Sequence, residues 1–245
     1  LLLSYRTRGI QPVFGGHRGI LKIVEGPLGG FRTPRPVLPA HDRAILGRMS
    51  GPDPVRASFE EAQATLAAFL ADPVHLASVE RFADLAHATL TGGGRLMSCG
   101  NGGSMCDAMH FAEEWTGRFR GNRAALSAIS FSDPSHLTCI ANDFGYDEIF
   151  ARQVEAQGRK GDLLVAISTS GNSPNMVRAC EAARERGIQV VGVLGKGGGK
   201  MLDLCDVAIV VPHATTSDRI QEIHIKVLHI AIEAVERRLF PENYA

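Results

Sequence analysis

Four hydroxyls crowd into a run of six residues, where Ser168, Thr169, Ser170 and Ser173 surround Gly171 and Pro174 follows at once. Side-chain hydroxyls, together with the free N–H groups that open a helix, are the groups that hold an anion. Gly171 permits a sharp turn, and Pro174 suits a first helical position. No Gly-Lys-Ser/Thr follows the glycine, so the pattern fits a single phosphomonoester better than the triphosphate of a nucleotide loop. The same residues would also serve as an ordinary Ser/Thr helix cap.

A second group lies at helical spacing. Asp107, His110 and Glu114 fall at i, i+3 and i+7 on one face, with Glu113 rotated off it. Met109, Phe111, Ala112 and Trp115 make that helix largely apolar, and a buried imidazole beside a carboxylate is a pair suited to moving protons. Further on, Asp218, Gln221 and His229 lie near one face of another helix, while His224 has no acidic neighbour there and reads as structural. Gln221 and His229 are separated by about 12 Å of helix rise. If both side chains lean to one point, His110, Glu114, Gln221 and His229 form a nitrogen and oxygen donor set suited to zinc. Without metal the same residues are an acid/base cluster.

Strands and helices must hold these groups in place. The runs 95–99, 126–130, 163–168, 189–194 and 207–211 are strand candidates, and helical patterns cover 105–118, 136–141, 147–157, 174–186 and 216–239. Their alternation predicts an α/β fold, a parallel sheet with helices on both faces. In such sheets ligands bind beyond the carboxyl ends of the strands, where the turns 100–104 and 168–173 both fall. Phe59, Ala62, Leu66 and Phe69, then Val79, Phe82, Leu85 and Leu90, recur at helical spacing and predict an N-terminal helical hairpin closed by Gly92-Gly93-Gly94. Gly100-Asn101-Gly102-Gly103-Ser104 echoes the hydroxyl turn, but Met105 stands where a dinucleotide fingerprint needs glycine, so no nucleotide cofactor is expected. The run 195–200 fails likewise and reads as a flexible turn.

The chain has 245 residues, 44% hydrophobic and 21% charged, enough for one large α/β domain. Lys plus Arg and Asp plus Glu balance at 26 each, which gives no electrostatic argument for nucleic acid. No apolar run approaches the roughly 20 residues that span a bilayer, so no membrane association is expected. Five scattered cysteines, none spaced C-x-x-C, point to reduced thiols and a cytoplasmic location. Residues 1–48 are rich in Gly, Pro and Arg and precede the first methionine, Met49. They are expected to be a disordered or non-native extension, with 49–245 a single domain that includes the helical hairpin.

The runs CGNGGSMCDAMHFAEEWTGRF, IANDFGYDEIFARQVEA, AISTSGNSPN and SDRIQEIHIKVLHI resemble the bacterial sedoheptulose 7-phosphate isomerase (phosphoheptose isomerase) family of the SIS, or sugar isomerase, fold. They stand in the family's order and spacing across about 54–239. The resemblance implies a five-stranded parallel sheet in a flavodoxin-like three-layer sandwich and a homotetramer with active sites at subunit interfaces. It also implies conversion of sedoheptulose 7-phosphate to D-glycero-D-manno-heptose 7-phosphate by enediol proton transfer, the first step toward the ADP-heptose of lipopolysaccharide core.

By the same resemblance, Asn101, Gly102, Gly103, Ser104, Glu114, Asn142, Asp143, Ser168, Thr169, Ser170, Ser173 and Gln221 bind substrate. Glu114 and His229 match the acid/base pair, and His110, Glu114, Gln221 and His229 match a site for one Zn²⁺ per subunit. Another sugar-phosphate isomerase of this fold would keep the hydroxyl cradle and change the groups that read the sugar chain. A non-catalytic SIS binding or regulatory protein would lack the pair Glu114 and His229, and both residues are present.

Overall fold

Helices α1 (Pro54–Ala71) and α2 (Pro73–Thr91) each open on an Asp-Pro step. The Asp53 carboxylate accepts from the N–H groups of Val55 and Arg56, Asp72 does the same for Val74, and proline fills a position whose N–H would be orphaned. These two helices are the expected N-terminal pair, joined through Asp72. Residues 53–245 are described in a computed structural model and belong to one unit; the expected extension 1–48 lies outside them.

The sheet contains β1 (Leu96–Gly100), β2 (Ala128–Ser130), β3 (Leu163–Ser168), β4 (Gln189–Gly195) and β5 (Val207–Val211). All strands are parallel, in the order β2-β1-β3-β4-β5. The strand order therefore reverses between β1 and β3, and a crevice opens at their carboxyl ends. That crevice is where both turns singled out in the sequence lie.

The remaining helices are α3 (Gly103–Thr116), α4 (Pro134–Asp143), α5 (Ala151–Gln157), α6 (Pro174–Glu185) and α7 (Ser217–Leu239). β3 is buried along its whole length because its side chains feed two cores in alternation. Leu163, Val165 and Ile167 join Phe82, Phe111, Trp115 and Leu228 from α2, α3 and α7. Leu164 and Ala166 join Phe150, Met176 and Ile188 on the other face. The result is the expected three-layer α/β architecture.

Three segments show how the structure departs from the sequence reading. The strand expected over 126–130 pairs only from Ala128, because the Leu126 N–H donates to the Trp115 carbonyl at the end of α3. The helix expected over 147–157 is a 3-10 turn, Tyr146–Glu148, followed by α5. The run 195–200 is not a loose turn. The Met201 N–H donates to the Gly171 carbonyl, and a Cβ added to Gly171 would stand 1.8 Å from the Gly198 carbonyl oxygen.

Candidate functional site

The carboxyl ends of β1 and β3 and the first turn of α7 enclose a cavity of about 190 Å³ lined by Asn101, Ser104, Ile167, Ser168, Thr169, Ser173, Ser217 and Gln221. Hydroxyls dominate its wall. Ser168 Oγ accepts from the Gly171 N–H at 3.1 Å, which holds the turn and leaves the Ser168 O–H free to donate. Thr169 Oγ1 and Ser217 Oγ lie 3.3 Å apart across the crevice. Ser173 is the N-cap of α6 but makes no side-chain cap bond, so its hydroxyl is available beside the α6 N-terminus. Ser170, in contrast, accepts from the Asn172 N–H and does not line the cavity.

The β1 turn packs against α7 rather than around a dinucleotide. Gly102 caps α3 with φ of 56°, and a Cβ on Gly103 would meet the Gln221 side-chain nitrogen at 2.6 Å. Gln221 Nε2 reaches Ser104 Oγ at 3.4 Å. Asn101 exchanges two hydrogen bonds with Asn175, at 2.9 and 2.8 Å, and its Oδ1 also accepts from the Tyr146 hydroxyl at 3.0 Å. Asn175, Tyr146 and Ser217 escaped the sequence reading. Asn175 is 1% exposed and its amide must find a partner, a signal that only burial reveals.

Two turns further along α3 and α7 lies the second cluster. His110 Nε2 is 3.0 Å from Glu114 Oε1 and 3.2 Å from His229 Nε2, and one ligand atom from each of the three lies within 4.8 Å of the others. Burial, then the neighbouring His110, lowers the His229 pKa. Asp107, one turn before His110, has a carboxylate oxygen out of solvent with no partner among the described residues, and burial raises its pKa while His110 acts against that. Glu113 is exposed, 4.0 Å from His110.

Of the expected metal quartet, His110, Glu114 and His229 stand together. The fourth, Gln221, lines the cavity wall with its Nε2 3.4 Å from Ser104 Oγ. Asn142 and Asp143 end α4, exposed and hydrogen-bonded to each other at 2.8 Å, and do not line the cavity. Asp218 is exposed, its pKa lowered chiefly by a hydrogen bond from Thr216. His224 is structural, fully buried with Nε2 donating to the Leu194 carbonyl at 3.0 Å.

Residues 59–195 match the SIS domain family model. Among curated relatives, the phosphoheptose isomerase of Edwardsiella ictaluri is 54% identical over 187 residues, covering 76% of this chain and 97% of the relative. That of Sodalis glossinidius is 55% identical, covering 78% and 98%. Among solved structures, the phosphoheptose isomerase of Neisseria gonorrhoeae superposes with a TM-score of 0.69 at 40% identity, over 74% of this chain and 96% of that one.

Proposed function

The chain belongs to the phosphoheptose isomerase family of SIS-domain proteins, and from that premise we propose that it converts sedoheptulose 7-phosphate to D-glycero-D-manno-heptose 7-phosphate. One observation carries the reading. A hydroxyl-lined cavity and a His-Glu-His cluster share the same two helices, α3 and α7, two helical turns apart. Such a separation, about 12 Å along α7, suits a sugar whose phosphate and reacting carbons lie at opposite ends of a long chain.

In this reading the cradle of Ser168, Thr169, Ser173, Ser217 and the α6 N-terminus takes the phosphate, so that binding energy remote from the reaction positions C1 and C2. Asn101 is held by Asn175 and, with Gly102, Gly103, Ser104, Ser170, Gln221, Asn142 and Asp143, completes the substrate groups named from the resemblance. The Glu114 carboxylate removes the proton from one carbon and returns it to the other through a cis-enediol. His229, which its lowered pKa keeps neutral near pH 7, exchanges the oxygen-bound proton.

The trio also fits a metal. Two ligand atoms on tetrahedral zinc stand about 3.3 Å apart for bonds of 2.0–2.1 Å. The 3.2 and 3.0 Å separations here are close to that. His110, Glu114 and His229, with Gln221 as the fourth donor, would hold one Zn²⁺, and the ion would supply polarisation of a carbonyl oxygen.

Assembly as a homotetramer with interface sites is part of the proposal. It is supported by Phe59, 74% exposed, and Ile230, 55% exposed, which flank apolar grooves between α1 and α7. All five thiols are unpaired, in keeping with a cytoplasmic enzyme whose product feeds the ADP-heptose of surface glycans. No helix among the described residues is long and apolar enough to cross a membrane. Incubating the purified protein with sedoheptulose 7-phosphate and resolving the aldose by chromatography tests the activity. Turnover of a different ketose phosphate in its place would move the assignment to another substrate of the fold.

A further inference from the structure

Arg123 enters the interior from the loop after α3, and its side chain and that of Glu236 on α7 are both wholly out of solvent. Its Nε donates to Glu236 Oε1. Nη2 donates to the Glu114 carbonyl at 2.6 Å, and Nη1 to the carbonyls of Trp115 at 2.8 Å and Ala124 at 3.1 Å. The other Glu236 oxygen accepts from the Tyr244 hydroxyl at 2.9 Å. Tyr244 lies on the C-terminal 3-10 turn Pro241–Tyr244, whose Asn243 amide donates to the Asn122 carbonyl beside Arg123.

α3 carries no basic residue in its last turn, so its final carbonyls need outside donors. The planar fork of one guanidinium serves two of them and a carboxylate together, which an ammonium could not do. The placement has a chemical consequence. One of those carbonyls belongs to Glu114, and Glu236 follows His229 by seven residues on nearly the same face of α7. Apolar side chains such as Trp115, Val227, Ala231 and Ile232 fill the same core, and apolar contact is non-directional. Directional bonds through Arg123 join the end of α3, at the Glu114 and Trp115 carbonyls, to Glu236 on α7.

We propose that Arg123 and Glu236 are positioning residues for the isomerisation, holding the Glu114 backbone and the His229 helix in the relative placement proton transfer requires, with Tyr244 orienting Glu236. This rests on Glu114 and His229 being the acid/base pair.

Removing one partner of a buried pair leaves an uncompensated charge, whereas replacing both with apolar residues of similar volume often leaves the fold intact. The test is therefore the double variant Arg123→Met with Glu236→Leu, beside Tyr244→Phe and Glu114→Gln, each assayed for melting temperature, kcat and KM on sedoheptulose 7-phosphate. A misplacement near 1 Å costs on the order of 100-fold. The folded double variant should lose about that much in kcat with KM nearly unchanged, and Tyr244→Phe should lose several-fold in kcat at an unchanged melting temperature.

Wild-type kcat in the folded double variant, or a loss confined to KM, overturns the proposal. Should the double variant not fold, Tyr244→Phe decides, and its wild-type kcat overturns it equally. Normal turnover by Glu114→Gln would instead remove the acid/base reading beneath it.

Discussion

The Nε2 atoms of His110 and His229 face each other at 3.2 Å, although 119 residues separate them in sequence. Two imidazole nitrogens this close are not both protonated; either one donates to the other, or both turn lone pairs toward a shared cation. With the Glu114 carboxylate adjacent, we expect the native protein to carry about one zinc per subunit. His110→Ala combined with His229→Ala should remove it. Elemental analysis of both proteins, with rates before and after chelation, checks this. No stoichiometric metal and an unchanged rate after chelation would leave the trio as an acid/base cluster alone.

Glu114→Gln should reduce turnover by on the order of 10² to 10⁴, because the amide keeps the shape of the side chain but cannot accept a proton from carbon. Phosphosugar binding, measured by calorimetry, should stay close to wild type, since the hydroxyl cradle lies two turns away. Near-wild-type turnover in metal-replete buffer would take Glu114 out of the base role.

The sheet, the hydroxyl turn and the pair His110 and Glu114 were legible because each rests on a local pattern: alternation of strand and helix, a hydroxyl-glycine turn, and i, i+4 spacing. What escaped the sequence joins distant segments. Asn175 meets Asn101 across 74 residues, and Arg123 meets Glu236 across 113, so neither pair leaves a periodic trace. Gln221, by contrast, was singled out by its place on one face of a helix, and it lines the cavity beside Ser104.

Gly171→Ala should destabilise the protein by more than about 2 kcal/mol and raise KM. Gly171 has φ of +64°, and the new methyl carbon would lie 1.8 Å from a backbone oxygen that cannot swing aside. Gly197→Ala is the control. Its φ is +79° with nothing among the described residues within 4 Å of an added methyl carbon, so the backbone cost of about 1 kcal/mol is what applies. Urea midpoints for the two variants separate contact from conformation, and equal losses would mean that the 195–199 turn yields to the added methyl.

His224 should make stability depend on pH chiefly through its burial. Its ring is fully buried, Nε2 donates to Leu194 and Nδ1 has no partner among the described residues, so desolvation pushes its pKa from 6.5 down to about 4. Below pH 6.5 the unfolded chain takes up a proton that the native state refuses until about pH 4. Within that window the unfolded state binds more protons, so native stability falls as pH falls, by about 1.4 kcal/mol per unit. Between pH 6.5 and pH 5 this amounts to about 2 kcal/mol. His224→Gln keeps a donor for Leu194 but cannot titrate. It should be less stable than wild type at pH 7, yet lose about 2 kcal/mol less between pH 7 and pH 5 in urea unfolding. Parallel losses in the two proteins would show that water reaches the imidazole, and that its proton is not refused by the folded state.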